Sequence, residues 1–348
     1  MRILVIADPK LPIPPLHYGG AERTIAYLCA ELQERGHEVD LIAGPGSQSY
    51  GGDLITHHLP GPGLPDRAYR KLLFQFRSLP ALRRADVILN FGRLDYLETA
   101  LRLRTPILCC FQNPVTQAEV DWVLRRRHEK VAFVGVSHAQ VAGITPADHV
   151  SVVHNATDVN RLRFSPEPGG EPYLAFLGRI TANKGADTAI RVARRTGMKL
   201  RMGGTISDEP GDREFFEEQI RPQLDEQIQW IGPVDDEAKQ RLLGEAIALL
   251  FPIRWQEPFG IVMAESLASG TPVIALRCAS TPEVIADGVT GFLCDSEDEL
   301  VGAVARVSTI DRSACRRSAE SHFSTRAMAE GYLRAIETLL AGAGSNGI

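Results

Sequence analysis

The stretch Glu257-Pro258-Phe259-Gly260-Ile261-Val262-Met263-Ala264-Glu265 is followed shortly by Gly270-Thr271-Pro272-Val273-Ile274-Ala275. A loop, an apolar helix and a short apolar strand stand here in succession, the rhythm of a parallel sheet covered by helices. Pro258 pushes Glu257 into extended backbone, so its side chain projects from the loop ahead of the helix. Glu265 lies more than one turn inside that helix, among Ile261, Val262, Met263, Ala264 and Leu267, where an unpaired carboxylate is costly. It therefore needs a partner. Carboxylates accept hydrogen bonds from hydroxyl groups, and a helix N-terminus offers free N–H groups and a positive dipole end to an anion. The two together describe a pocket for a ligand that carries both hydroxyls and phosphate.

Outward from this stretch the same alternation continues in both directions. Apolar strand-like runs at 3–7, 37–43, 86–90, 106–111 and 131–136 alternate with helical segments, the first of them at 21–35 and ended by Gly36. The run Phe164-Ser165-Pro166-Glu167-Pro168-Gly169-Gly170-Glu171-Pro172 interrupts the pattern as a linker would. A second series follows at 173–178, 199–203, 228–232, 247–251 and 272–275, and a helical stretch covers 325–341. The predicted organisation is an α/β domain over 1–165, a second over 166–324, and a terminal helical segment over 325–348 that can cross back to the first domain. In open α/β sheets ligands bind outside the carboxyl ends of the strands, so the two sheets are expected to face one interdomain cleft.

With 348 residues, the chain has room for two cores of ordinary size. Its 38 basic and 43 acidic residues give a net charge of -5, which argues against a nucleic-acid partner bound through a basic surface. The six cysteines lack C-x-x-C spacing and lie mostly in apolar runs, so buried thiols are expected and a zinc site is not. The opening apolar run is too short for a signal peptide or a membrane span, which points to the cytoplasm.

Other residues suited to an anion fall at strand ends. Gly19-Gly20 precedes the first helix, where the missing side chains let the backbone approach an anion closely; a plain turn is the alternative. No G-x-G-x-x-G follows the first strand, which excludes a dinucleotide site there. In the second half Gly178-Arg179 ends a strand and Lys184-Gly185 opens the next helix. These two cations can converge on a diphosphate, a solvated charge pair being the bland reading.

The nine-residue stretch at 257–265 resembles the E-x7-E signature of retaining glycosyltransferases of family 4, which have the GT-B fold of two Rossmann-like domains. The resemblance covers nearly the whole chain, densely over 173–295. It implies transfer of a sugar from a UDP- or GDP-linked donor to an acceptor bound by the first domain. By the same resemblance Arg179 and Lys184 clamp the diphosphate, Glu257 holds sugar hydroxyls, and Glu265 holds the ribose. Pro258, Phe259, Gly260 and Ile261 contribute main-chain contacts to sugar and phosphate. Gly178, Gly203, Gly232, Pro233 and Val234 mark the strand ends around the base, and Gly19 and Gly20 lie over the donor phosphates or the acceptor. No cofactor and no metal are implied, and no D-x-D tripeptide is present.

One position departs from the family pattern. Where members place a histidine after the strand at 106–111, this chain has Gln112-Asn113-Pro114, and an amide cannot become charged at neutral pH. Gln112, Asn113 and His138 remain as sugar or acceptor contacts, and the departure keeps a weakened nucleotide-sugar-binding protein, or an epimerase of the same fold, as alternatives. Residues 67–84 combine Arg67, Arg70, Lys71, Arg77, Arg83 and Arg84 with Leu72, Leu73, Phe74 and Phe76. An amphipathic helix whose apolar residues pack as core is the favoured reading, with association with a membrane surface the other.

Overall fold

The computed structural model describes residues 1–16, 19–58, 64–126, 130–207, 209 and 211–341, the side chains of 64–68 and 70 excepted. The chain divides into two compact units, Met1–Asn155 with Thr325–Ile348, and Ala156–Ser324.

The first unit runs β1 (Arg2–Ile6), α1 (Gly20–Glu34), β2 (Glu38–Ala43), β3 (Gly51–Thr56), α2 (Leu64–Arg84), β4 (Val87–Asn90), β5 (Ile107–Cys110), α3 (Gln117–Leu124), β6 (Val131–Gly135), α4 (His138–Val141) and β7 (Val150–Val152). Its sheet is parallel, in the order β3-β2-β1-β4-β5-β6-β7. Ile3, Leu4, Val5 and Ile6 of β1 are all 0% exposed, the continuous burial of a strand covered on both faces. Helix α1 buries Ile25, Leu28, Cys29 and Leu32, one stripe at helical spacing.

The second unit runs β8 (Tyr173–Leu177), α5 (Ala186–Thr196), β9 (Lys199–Gly203), α6 (Asp212–Phe215), β10 (Ile228–Gly232), α7 (Asp236–Gly244), β11 (Ala248–Phe251), α8 (Ile261–Ala268), β12 (Val273–Leu276), α9 (Thr281–Val284), β13 (Gly291–Cys294), α10 (Glu297–Arg306) and α11 (Arg312–His322). Its parallel sheet has the order β10-β9-β8-β11-β12-β13. The last helix, α12 (Thr325–Ala341), packs on α1 of the first unit, with Tyr332 1% exposed and its ring 5.7 Å from that of Phe91. In each sheet the chain winds outward both ways from its first strand, so β1/β4 and β8/β11 are the switch points beside which a crevice opens.

Two features differ from the sequence reading. The division between the units falls at Asn155/Ala156, ahead of the Pro/Gly-rich run. Two arginines of α11 tie 159–165 into the second unit: Arg312 donates to the carbonyls of Ser165, Gly244 and Ala246, and Arg316 to those of Val159, Leu162 and Ala268. The second difference is on α2. Its core stripe is Phe74, Ser78, Ala81 and Leu82, whereas Leu72 (67% exposed), Leu73 (38%) and Phe76 (77%) face outward with Tyr69. Of the apolar residues expected in the core, Phe74 alone packs there, against His57 and Tyr96. The side chains of Arg67 and Arg70 lie outside the described residues.

Candidate active site

In the second unit the loops that follow β8 and β11 are held against each other. The Arg254 N–H donates to the Asn183 carbonyl at 2.9 Å, and a Cβ added to Gly185 would lie 2.1 Å from the Pro252 carbonyl oxygen. Gly185 has φ 77° and is the N-cap of α5, so both its backbone conformation and its closeness to Pro252 require glycine. This contact places Lys184 beside Glu257. Their side chains form an ion pair and are 17% and 13% exposed. The Trp255 indole N–H donates to Glu257 Oε2 at 2.7 Å, and Lys184 Nζ lies 5.1 Å from the Trp255 ring centroid, a cation–π contact.

The buried carboxylate of α8 finds its partner on α7: Lys239 Nζ donates to Glu265 Oε1 at 2.6 Å, with the two side chains 14% and 10% exposed. Arg179, after β8, has its Nε buried and without a hydrogen-bond partner among the described residues. A buried guanidinium N–H left unpaired costs free energy that an anionic ligand would recover. Helices α5 and α8 begin on Gly185 and Gly260, neither with a side-chain cap, so their first N–H groups are not taken by a capping side chain.

Around this cluster, a Cβ on Gly204 would lie 1.8 Å from the Gly178 carbonyl oxygen, and one on Gly203 2.8 Å from Leu242 Cδ2. Gly232 ends β10, Pro233 and Val234 follow it ahead of α7, and the Gly204 N–H donates to the Gly232 carbonyl at 2.9 Å. Pro258 and Phe259 are buried; the Phe259 ring packs on Phe323, and its carbonyl accepts from Ser280 Oγ at 2.9 Å, which commits that main-chain acceptor to the fold. Gly260 and Ile261 open α8.

The first unit carries a cleft of ≈ 860 Å³ at the carboxyl ends of β1, β4 and β5, lined by residues that include Asp8, Glu22, Arg93, Gln112, Asn113 and Trp122. Gly19 is the N-cap of α1, and a Cβ there would meet Pro15 Cβ at 2.8 Å. Gln112 Oε1 accepts from Asn155 Nδ2 at 2.9 Å, while Nε2 is buried and has no hydrogen-bond partner among the described residues. The Asn113 carbonyl accepts from Gln140 Nε2 at 2.6 Å, and His138 is exposed at the start of α4.

Sequence reasoning missed two participants. Lys239 is a lysine inside an ordinary charged helix, and only the fold brings it to Glu265. Trp255 stands two residues before Glu257, and its proximity could have drawn attention to it. Among the described residues no three His, Cys, Asp or Glu side chains are grouped to hold a metal ion, and no helix is long and apolar enough to cross a membrane. All six cysteines are free, and five of them are buried.

Two parallel Rossmann-like sheets, each wound outward from its first strand, with a carboxylate–cation cluster at one switch point, define a protein of the GT-B class. The solved structure of HepE from Anabaena, in complex with UDP-glucose, has the same fold: 16% identity, TM-score 0.74, and coverage of 98% of this chain and all of that one. Models of two family descriptions match, "Glycosyltransferase Family 4" over residues 18–161 and "Glycosyl transferases group 1" over 159–322, and the chain belongs to the family 4 glycosyltransferases. A phosphatidyl-myo-inositol mannosyltransferase of Mycobacterium leprae is 28% identical over 91% of this chain and 89% of its own length. An uncharacterised 41.2 kDa protein of the Klebsiella pneumoniae cps region is 33% identical, but over 46% of this chain and 45% of its own length.

Proposed function

We propose that this glycosyltransferase moves a hexosyl group from a nucleoside-diphosphate sugar, UDP- or GDP-linked, to an acceptor hydroxyl with retention of anomeric configuration. The observation that carries the proposal is the joined cluster Lys184–Glu257–Trp255 together with the unpartnered buried N–H of Arg179. In this reading donor binding releases Lys184 from Glu257: the lysine turns to the diphosphate with Arg179 and the N-termini of α5 and α8, and the carboxylate accepts from sugar hydroxyls. Glu265, held by Lys239, accepts from the ribose. The bond from the anomeric carbon to the diphosphate oxygen breaks with its electron pair going to the diphosphate, and the cations stabilise that growing charge. The acceptor oxygen bonds to the same face of the oxocarbenium-like centre, and its proton passes to the departing nucleoside diphosphate. The acceptor occupies the cleft of the first unit, with Gln112 Nε2 free to donate to a hydroxyl. Arg179 and Lys184 take the charge-neutralising role, so activity is expected to survive chelation by EDTA.

The test is a screen of UDP-, GDP- and ADP-sugars for thermal stabilisation, followed by measurement of nucleoside diphosphate release with and without acceptors. Glu257→Gln and Lys184→Ala should both suppress release while the protein stays folded; wild-type turnover in both would remove the assigned site. A changed sugar released without any acceptor would identify an epimerase, and stabilisation without turnover a binding protein.

A further inference from the structure

The acceptor class can be read from the charges around the first unit's cleft, granted the reading that acceptors bind there. Five carboxylates line it, Asp8, Glu22, Asp95, Glu98 and Glu119, against two cations, Lys10 and Arg93. The charges are not equally available. Arg93 Nε donates to Asp8 Oδ2 at 2.8 Å, and that hydrogen bond raises the guanidinium's pKa, so its charge is committed within the wall. Glu98 is matched from outside the lining by Lys71 at 2.6 Å. Glu119 accepts from neutral donors, the Thr116 N–H and hydroxyl of a capping box, and forms no salt bridge among the described residues. Glu22 and Asp95 form no salt bridge among the described residues. Among the lining residues, three carboxylates without a salt bridge therefore stand against one cation without one, the exposed Lys10, while outside the lining Arg126 lies over the Trp122 ring at 4.4 Å.

A second, independent feature says what else the ligand must offer. Gln112, which lines the cleft, has its oxygen occupied by Asn155 and its Nε2 buried without an acceptor among the described residues. Buried donors of this kind are satisfied by hydroxyl oxygens or by a water held between them and the ligand. Phe91, Phe111 and Trp122 add apolar wall, suited to the C–H faces of a ring.

We propose that this cleft takes a hydroxyl-rich ring that is neutral or carries an ammonium group, and disfavours acceptors that carry a phosphate. The same three carboxylates that attract an amino sugar or aminocyclitol repel a phosphoryl group. This runs against the simplest transfer from a relative named for phosphatidyl-myo-inositol, whose acceptor bears a phosphodiester.

The experiment offers matched trios, glucose with glucosamine and glucose 6-phosphate, and myo-inositol with an aminocyclitol and inositol 3-phosphate, to the wild-type protein with each donor. The readout is nucleoside diphosphate release above the acceptor-free rate. The phosphorylated member should show kcat/KM at least tenfold below its parent at low salt, and the gap should close as salt screens the wall. Asp95→Asn, at an exposed position, and the double variant with Glu22→Gln should narrow the gap between the phosphorylated member and its parent. Equal or better use of the phosphorylated members, a gap indifferent to salt and to both variants, or acceptance of none of the neutral and amino members overturns the proposal. Acceptor-free hydrolysis reports on donor binding and cleavage without the acceptor: its presence alongside any of those outcomes leaves the transferase reading standing, and its absence with every donor fails that reading first.

Discussion

Replacing Lys184 by methionine separates the lysine's part in the resting structure from its part in the reaction. At rest it is the ion-pair partner of Glu257, with side chains 17% and 13% exposed. Exposed pairs contribute about 0–1 kcal/mol, and stripping one partner from a fully buried pair costs about 3–5 kcal/mol. This pair lies between those limits, and the Trp255 N–H stays on the Glu257 carboxylate. A loss of about 1–2 kcal/mol follows, which lowers Tm by about 2–8 °C for a unit of this size. Glu257→Gln on top of Lys184→Met should recover part of that loss, because the orphaned charge is removed with it. In the proposed mechanism the lysine faces charge that grows as the diphosphate departs. Losing one such preorganised donor costs about 10²–10³ in kcat, or about 2.7–4 kcal/mol, and affects kcat more than the donor KM because the interaction strengthens in the transition state. The assay pairs thermal melts with nucleoside diphosphate release at saturating donor. A variant that melts a few degrees lower yet keeps kcat within about threefold of wild type would reduce Lys184 to a structural partner and refute its catalytic assignment.

Glu265→Gln, which leaves Lys239 without its carboxylate, should weaken nucleotide affinity about tenfold, about 1.4 kcal/mol, by titration calorimetry; unchanged affinity would remove Glu265 from the ribose site. Gly204→Ala should cost about 3 kcal/mol or more, or abolish folding, because its Cβ falls 1.8 Å from the Gly178 carbonyl at φ 143°, whereas Gly302→Ala, inside α10 with nothing within 4 Å, should gain about 0.5–1 kcal/mol in chemical denaturation. His57 is 9% exposed with Nε2 donating to the Ala7 carbonyl at 3.1 Å, and burial pulls its pKa below the ordinary value near 6.5. The unfolded chain then binds the proton more readily, so stability is full above pH 6.5 and falls as pH drops from there through the folded value. Melts at pH 7.5 and 5.5 should show this fall, and His57→Gln should reduce it.

The strands that continuous apolar runs announce, β1, β2, β4 to β6 and β8 to β12, are all in the structure, and so is the helix that Glu257–Glu265 opens. β3, β7 and β13 were not legible. β3 begins Gly51-Gly52 and carries Asp53, β7 has three residues, and β13 is Gly291-Phe292-Leu293-Cys294, so each takes its strand conformation from a neighbour rather than from its own composition. The division between the units was misplaced because prolines and glycines signal a break in secondary structure, whereas a unit boundary is set by tertiary contacts. The grips of Arg312 and Arg316 on 159–165 leave no trace at those residues. On α2, composition showed an apolar and a basic component but not which of two apolar stripes faces the sheet. The requirement that Glu265 be paired was legible from its apolar surroundings, though the identity of Lys239 was not.

The two units solve one topological problem with opposite charges. Each sheet turns outward from its first strand, and each leaves a crevice at the carboxyl ends where loops, and not strands, set the chemistry. After β8 the loop brings Arg179 and Lys184, and glycine at 185 is required so that the chain can pass against Pro252 and deliver the lysine to Glu257. After β1, β4 and β5 the loops bring Asp8, Asp95 and Gln112, and the arginine among them, Arg93, is spent on Asp8. Glycines before a helix, present in both units, therefore say only that backbone N–H groups are accessible. On the proposed reading the side chains set beside them decide which crevice receives an anion: the diphosphate is assigned to the second unit, and an uncharged or cationic hydroxylated ring to the first.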